Sequence, residues 1–275
     1  MPPVLLHAGG RVAWDTWELD PSLIAGLFIA VVAYAYGITS LHSRTDRTEP
    51  WRIAAYFSGV ALIFLALASP LDIGSDQLLS LHMIQHVVLA SIGPPLLLLG
   101  LPAWLVHRVL GRGLLFRLAG LATQPFPAAI AFSLNMWLWH APPAYDLALN
   151  HLGVHIFEHI LFLATGIAFW WPVVAPLPEL SRIGAGGRLL YLFVTGFPMG
   201  ILALLLLSSN TVVYDFYATG PRLWGVDPLT DQQLAGVIMG GLGEITSFVA
   251  FSLLFWRFLG DADAEIEAVP HAPQP

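Results

Sequence analysis

The residues with most chemical capacity in this chain are its histidines, and six of the ten fall in three short runs. His82 and His86 stand in Ser80-Leu81-His82-Met83-Ile84-Gln85-His86. His140 closes Trp137-Leu138-Trp139-His140. His151, His155 and His159 follow at intervals of four, with Glu158 just before the last. Residues four apart lie on one helix face, one turn from each other. His82 and His86 thus form a facing pair, and His151, His155 and His159 a ladder of two such pairs, with Glu158 close to the same face. Imidazoles paired across two helices suit zinc, copper, iron or nickel. The same side chains could instead supply neutral interhelical hydrogen bonds, or a proton relay with nearby acids. Asp72, Asp76 and Asp146 are the carboxylates available at the same level.

Other assignments of these residues remain open. Facing histidines from two helices can hold a b-type haem axially. His155-Ile156-Phe157-Glu158-His159 reads HxxEH, the inverted zinc-peptidase spacing, in which Glu158 would be a base beside a metal-bound water. Absent residue types narrow the field. There is no Cys, so neither a disulfide nor a thiolate site is available. A Cu(I) site would have to draw on His and Met, with Met83 between the first His pair, whereas Cu(II) is satisfied by His nitrogens. All 11 basic residues are Arg, which excludes a retinal Schiff base on Lys. With 18 acids and a net charge of -7, nucleic acid is not an expected partner.

The elements that must position these side chains are membrane helices. Of 275 residues, 57% are hydrophobic and 11% charged, and the mean hydropathy is +0.73. A soluble fold of this size cannot hide that much apolar surface. Seven stretches, near 20–41, 53–71, 79–101, 126–144, 152–175, 189–209 and 232–258, are long enough to cross a bilayer. The expected fold is an all-α bundle of seven transmembrane helices, one domain over 1–260. An acidic, Pro-containing tail over 261–275 is expected to be disordered. Residues 1–19 lack a basic segment followed by an apolar run and do not read as a cleavable signal peptide. Asp20 and Pro21 suit the start of the first helix.

Arginine sets the expected orientation. Arg44, Arg47, Arg52, Arg108, Arg112, Arg117, Arg182, Arg188 and Arg257 fall on one side of the seven spans, Arg11 and Arg222 on the other. The positive-inside rule then puts the N-terminus outside and the C-terminus in the cytoplasm. The ten Trp lie near span ends and read as interfacial belts: Trp51, Trp104, Trp170, Trp171 and Trp256 inside, Trp14, Trp17, Trp137, Trp139 and Trp224 outside. All six clustered histidines then share the outer leaflet, with His86 and His159 roughly 10 Å below the start of their spans. Ionisable groups at that depth are costly and mark function. His42 and His107 read as interfacial, His7 and His271 as solvated. Met199 and Met239 read as packing. Gly236 and Gly240 read as a close helix contact, and Pro94-Pro95 and Pro198 as kinks. Glu244 reads equally as a ligand carboxylate or a neutral acid bonded in the bundle.

Ser69-Pro70-Leu71-Asp72, Leu79 through His86, Gly93-Pro94-Pro95 through Pro102, Trp139-His140-Ala141-Pro142, Tyr145-Asp146, His155 through His159, Trp170-Trp171-Pro172-Val173 and Asp231-Gln232-Gln233-Leu234-Ala235-Gly236 occur in an order and spacing that resemble the CtaG family of caa3-type cytochrome c oxidase assembly factors. The resemblance covers nearly the whole chain. It departs after Ile238-Met239, where the family pattern has Trp and Pro and this chain has Gly240-Gly241-Leu242-Gly243-Glu244. It implies a non-enzymatic chaperone of the respiratory chain in the bacterial cytoplasmic membrane. Such a factor would support maturation of the oxidase's metal centres, with oxidase subunits or other copper chaperones as partners. Together with the histidine layer it gives an expected copper site of His82, His86, His155 and His159, with His140 and His151 next. Asp72, Asp146, Glu158 and Met83 would support it.

Overall fold

In the computed structural model, residues 12–13, 15–180 and 183–267 are described. His7, Arg11, Trp14, Arg182 and His271 lie outside them. Every regular element among the described residues is helical. Proline and short acids set the helix starts. The carboxylate of Asp20 accepts from the N–H groups of Ser22 (2.7 Å) and Leu23 (3.1 Å), and Pro21 opens α1, Pro21–Ser40. A proline in the first turn gives up only an N–H that the helix leaves unpaired anyway. Pro50 does the same for α2, Pro50–Ala68, and Pro70 for α3, Pro70–Ser75.

The next helix, α4, spans Leu79–Gly100 and contains a π turn, Val88–Ile92. Pro94 and Pro95 cannot donate to the carbonyls four residues back, and the wider turn just before them absorbs the mismatch. The expected kink is therefore a π turn. Two surface helices follow, α5 (Ala103–Leu110) and α6 (Leu114–Ala122), then α7 (Pro125–Trp139) and α8 (Pro142–Asn150). Long α9 is Leu152–Val174, α10 is Ala185–Ser208 and α11 is the short Asp215–Thr219. The last helix, α12, crosses as Pro228–Gly260, with a second π turn at Ile238–Leu242. Its final segment, Gly243–Glu267, runs into the stretch expected to be disordered.

Six helices, α1, α2, α4, α9, α10 and α12, are long and apolar enough to cross a membrane. The span expected at 126–144 differs. Helix α7 stops at Trp139, about 22 Å long, and meets the bilayer requirement only with α6, at a 65° bend. Pro142-Pro143 forces the stop, since neither residue can donate to the preceding turn. Among the described residues there are thus six to seven candidate membrane-spanning helices. Phe28, Phe126, Phe193 and Phe248 stand exposed on their outer faces, as lipid contact requires.

Helix α4 is central, packed between α2, α9 and α12. A Cβ at Gly166 would lie 2.8 Å from the Ala90 carbonyl, so glycine lets α9 touch the π turn of α4. A Cβ at Gly236 would lie 2.8 Å from the Ala203 carbonyl and the Leu207 nitrogen, the close contact expected of that glycine. At one end of the bundle, Arg52 Nη1 donates to the Leu99 carbonyl (3.0 Å), Trp104 Nε1 to the Arg47 carbonyl (3.2 Å), and Arg108 pairs with Asp46 at 3.2 Å. Hydrogen bonds from Ser43, with Arg108 adding to them, hold the Asp46 carboxyl below its usual range. At the opposite end α3, α8 and α11 converge. Tyr217 donates to the Ser75 carbonyl (2.7 Å), Tyr214 to the His140 carbonyl (3.0 Å), and Tyr145 stacks on Tyr214 at 4.0 Å. The tryptophan expectation needs correcting at three positions. Trp139, Trp170 and Trp171 are buried in the core, because other helices enclose α7 and α9 there. Trp17, Trp51, Trp137, Trp224 and Trp256 are exposed.

Candidate metal centre

The first imidazole pair is fixed from three directions. The N–H groups of Leu79 (2.6 Å) and Ser80 (3.2 Å), at the open N-terminus of α4, are accepted by the Asp231 carboxylate of α12. This bond across 152 residues caps the helix that carries His82 and His86 and ties it to α12. One turn further on, Gln85 Nε2 donates to the Ala66 carbonyl (2.9 Å) and to Asp72 Oδ1 (2.6 Å). The Tyr217 hydroxyl supplies the third contact, 3.2 Å from His82 Nδ1. Burial pushes that hydroxyl well above its usual range, so it stays neutral and spends its proton on the Ser75 carbonyl. His82 Nδ1 must then be the donor to it, which leaves the lone pair on His82 Nε2.

That lone pair faces His86 Nε2 at 2.8 Å. Either one proton lies between the two nitrogens, or both lone pairs are free to share a cation. Helix α9 brings the second set. The His155 and His159 rings are 4.2 Å apart, centroid to centroid; His155 is 5.3 Å from His82, and His159 is 5.5 Å from His86. Two overlapping groups result, each with ligand atoms all within 4.8 Å: His82, His155 and His159; and His82, His86 and Glu158. His82, His86, His155 and Glu158 are 1–4% exposed. Glu158 Oε1 is 3.7 Å from His86 Nε2. Neither Glu158 oxygen has a hydrogen-bond partner, nor does His159 Nε2. Buried carboxylates are seldom left so, and a cation held among these donors is what such a set fits.

The remaining expected residues are placed as follows. His140 is buried beside the group, its ring 5.9 Å from that of His86. Its Nδ1 donates to the Met136 carbonyl at 2.8 Å, which leaves Nε2 as the lone-pair nitrogen, without a partner. Asp72 lines a cavity of about 390 Å³ together with Asp20, Tyr56, His155 and His159. His151 is exposed at the N-cap of α9 and belongs to neither group. Asp146 faces α11, where it accepts from the Phe216 N–H; burial and the nearby Asp215 raise its pKa. Met83 is buried in the core. Glu244 lies over Gly196 of α10, outside both groups. Tyr217, Gln85 and Asp231 were not singled out from sequence, although the last two sit inside quoted strings.

The comparison that decides the family covers this whole arrangement. Residues 32–261 match the family described as cytochrome c oxidase caa3 assembly factor, Caa3_CtaG. The chain belongs to that family. All of the donor residues above, and Tyr217 and Asp231, fall within the matched segment. Similar proteins include an uncharacterized protein of Mycobacterium bovis and one of Mycobacterium tuberculosis. Each is 27% identical over 245 residues, 83% of this chain and 37% of the relative. An uncharacterized protein of Mycobacterium leprae is 24% identical over 269 residues, 88% of this chain and 39% of its own length. The chain thus spans under two-fifths of the relatives it matches. No solved structure matches it.

Proposed function

We propose that this oxidase assembly factor binds copper at the His/Glu group and holds or passes it for maturation of an oxidase metal centre. It would act without turnover, in partnership with oxidase subunits or other copper chaperones. The observation that carries the reading is the 2.8 Å approach of His82 Nε2 and His86 Nε2 beside an unpartnered buried carboxylate. Such a meeting of lone pairs is costly unless a proton or a cation lies between them. His82, His155 and His159 would hold the ion on one side, His86 and Glu158 on the other. Tyr217 fixes the His82 tautomer and Asp231 fixes the helix beneath it.

We further propose that the histidine end faces outward in a bacterial cytoplasmic membrane and the Arg52, Arg108 and Asp46 end inward. Metal analysis of the purified protein beside a His86→Ala/His159→Ala variant tests the assignment. The native protein is expected to retain copper and the variant to lose it; equal retention in both removes the ligand set. Haem is not favoured. The ring centroids of the facing pairs, 5.3 Å apart for His82 and His155 and 5.5 Å for His86 and His159, leave no slot for a macrocycle between them. The one observation favouring hydrolysis is Glu158 beside the imidazoles of His82 and His86, and peptidase activity abolished by Glu158→Gln would establish that reading instead.

A further inference from the structure

Helix α1 stands away from the bundle. It packs chiefly on α2, and between it and α9 lies the cavity of about 390 Å³ that reaches Asp72, His155 and His159. That volume is on the scale of a small-molecule site, roughly 300–1,000 Å³. Gly26 of α1 and Ile160 of α9 line it and are exposed, so it opens sideways between those helices, towards lipid. It is more than a surface groove. Val60 and Ile63 of α2 and Leu89 in the π turn of α4 also line it, and all three are buried.

The two ends of the cavity differ. Asp20, Ser22, Asp72, His155 and His159 lie at the histidine end. From there the wall is apolar down to Tyr56, whose hydroxyl is spent on the Ala30 carbonyl (3.1 Å). The wall from Asp20 to Ala30 is about 15 Å long at 1.5 Å per residue, half of a roughly 30 Å hydrocarbon core. One hydrocarbon chain of a single leaflet therefore fits along it, with its head at the histidine end. Charge decides the head. Among the described residues no arginine lines the cavity, so a phosphate or a fatty-acid carboxylate would meet Asp20 and Asp72 with nothing to neutralise it. Both carboxylates already accept, Asp20 from the Ser22 and Leu23 N–H groups and Asp72 from Gln85, yet an ionised carboxylate has about four acceptor sites. A neutral head that donates O–H bonds suits them.

We propose that this cavity binds a neutral membrane amphiphile, one long hydrocarbon chain ending in a hydroxyl-bearing head, as in a quinol or a monoacylglycerol. The site goes beyond the copper reading and does not need it. Only His155 and His159 belong to both the cavity and the metal groups, and the wall that takes the chain is built mainly by α1, α2 and α4.

The test uses the full chain in detergent with hexadecanol that carries a mid-chain diazirine and a terminal alkyne, and maps the photo-adducts by mass spectrometry. Labelling should saturate and concentrate on the cavity walls, Leu27 of α1 and Ile160 of α9 among them. Gly26→Phe, whose Cβ would meet nothing within 4 Å, should fill the space and cut labelling at least tenfold. Ala25→Phe, exposed and outside the lining, should leave it unchanged. A second arm uses native protein and competitors. Displacement by decylhydroquinone marks a quinol site and displacement by monoolein a glyceride site; displacement by neither overturns the proposal. So does displacement by palmitate or phosphatidylglycerol as strong as by these, since the head would then be anionic. Labelling that fails to saturate, or that Gly26→Phe leaves intact, also overturns it, because the probe would then report surrounding lipid only. Copper retention is measured on the same samples. Its absence from native protein would remove the copper reading, whereas saturable labelling in that protein would still sustain this one.

Discussion

The hydroxyl of Tyr217 decides which nitrogen of His82 can bind anything. It donates to the Ser75 carbonyl and accepts from His82 Nδ1, the kind of outer contact that fixes a metal-binding tautomer. Tyr217→Phe keeps the ring and removes only that contact. Copper affinity should fall about 10- to 100-fold with little change in the thermal unfolding midpoint; unchanged affinity by chelator competition would show that the tautomer is set otherwise. The sequence shows His82 as a candidate because the spacing to His86 is local. Tyr217 lies 135 residues away in a five-residue helix without periodicity, so nothing local marks it. His151 shows the converse. It keeps the spacing of four, but it sits at the N-cap of α9, before the helical rise begins, and faces out.

Helices are legible in this chain because 20 apolar residues, a capping acid and a first-turn proline are all local signals. What they do to one another is not. The tryptophans of α7 and α9 read as a lipid-interface belt because position in a span says nothing of which neighbour covers it. The π turn of α4 depends on the two prolines after it, but its use as a contact for α9 depends on Gly166. That contact has a consequence for the site, because α9 carries His155, Glu158 and His159 towards His82 and His86. A methyl at residue 166 would meet the Ala90 carbonyl at 2.8 Å, and neither backbone can yield cheaply. Gly166→Ala should destabilise the protein by about 1–3 kcal/mol and also weaken metal binding, because the two histidine pairs are forced apart. A variant with a lower unfolding midpoint and native copper affinity would show that the pairs are positioned by the ends of α4 and α9 rather than by this contact.

At the scale of the whole molecule the ends differ in chemistry. Arg52, Arg108 and Trp104 tie loops together at one end, while tyrosines roof the imidazoles at the other. Which end meets the cytoplasm follows from the arginine count and not from any contact, and the absence of cysteine makes it directly measurable. Thr45 and Gly113 are exposed at the arginine end, and Asn210 is exposed in the loop between α10 and α11. None of these three is in the donor set. In intact cells an impermeant maleimide should label Asn210→Cys and spare Thr45→Cys and Gly113→Cys, which should label only after the membrane is opened. The opposite pattern would turn the histidine end towards the cytoplasm. Copper would then have to be loaded from the cytoplasmic side, against the reading of a factor that serves metal centres from the outer face.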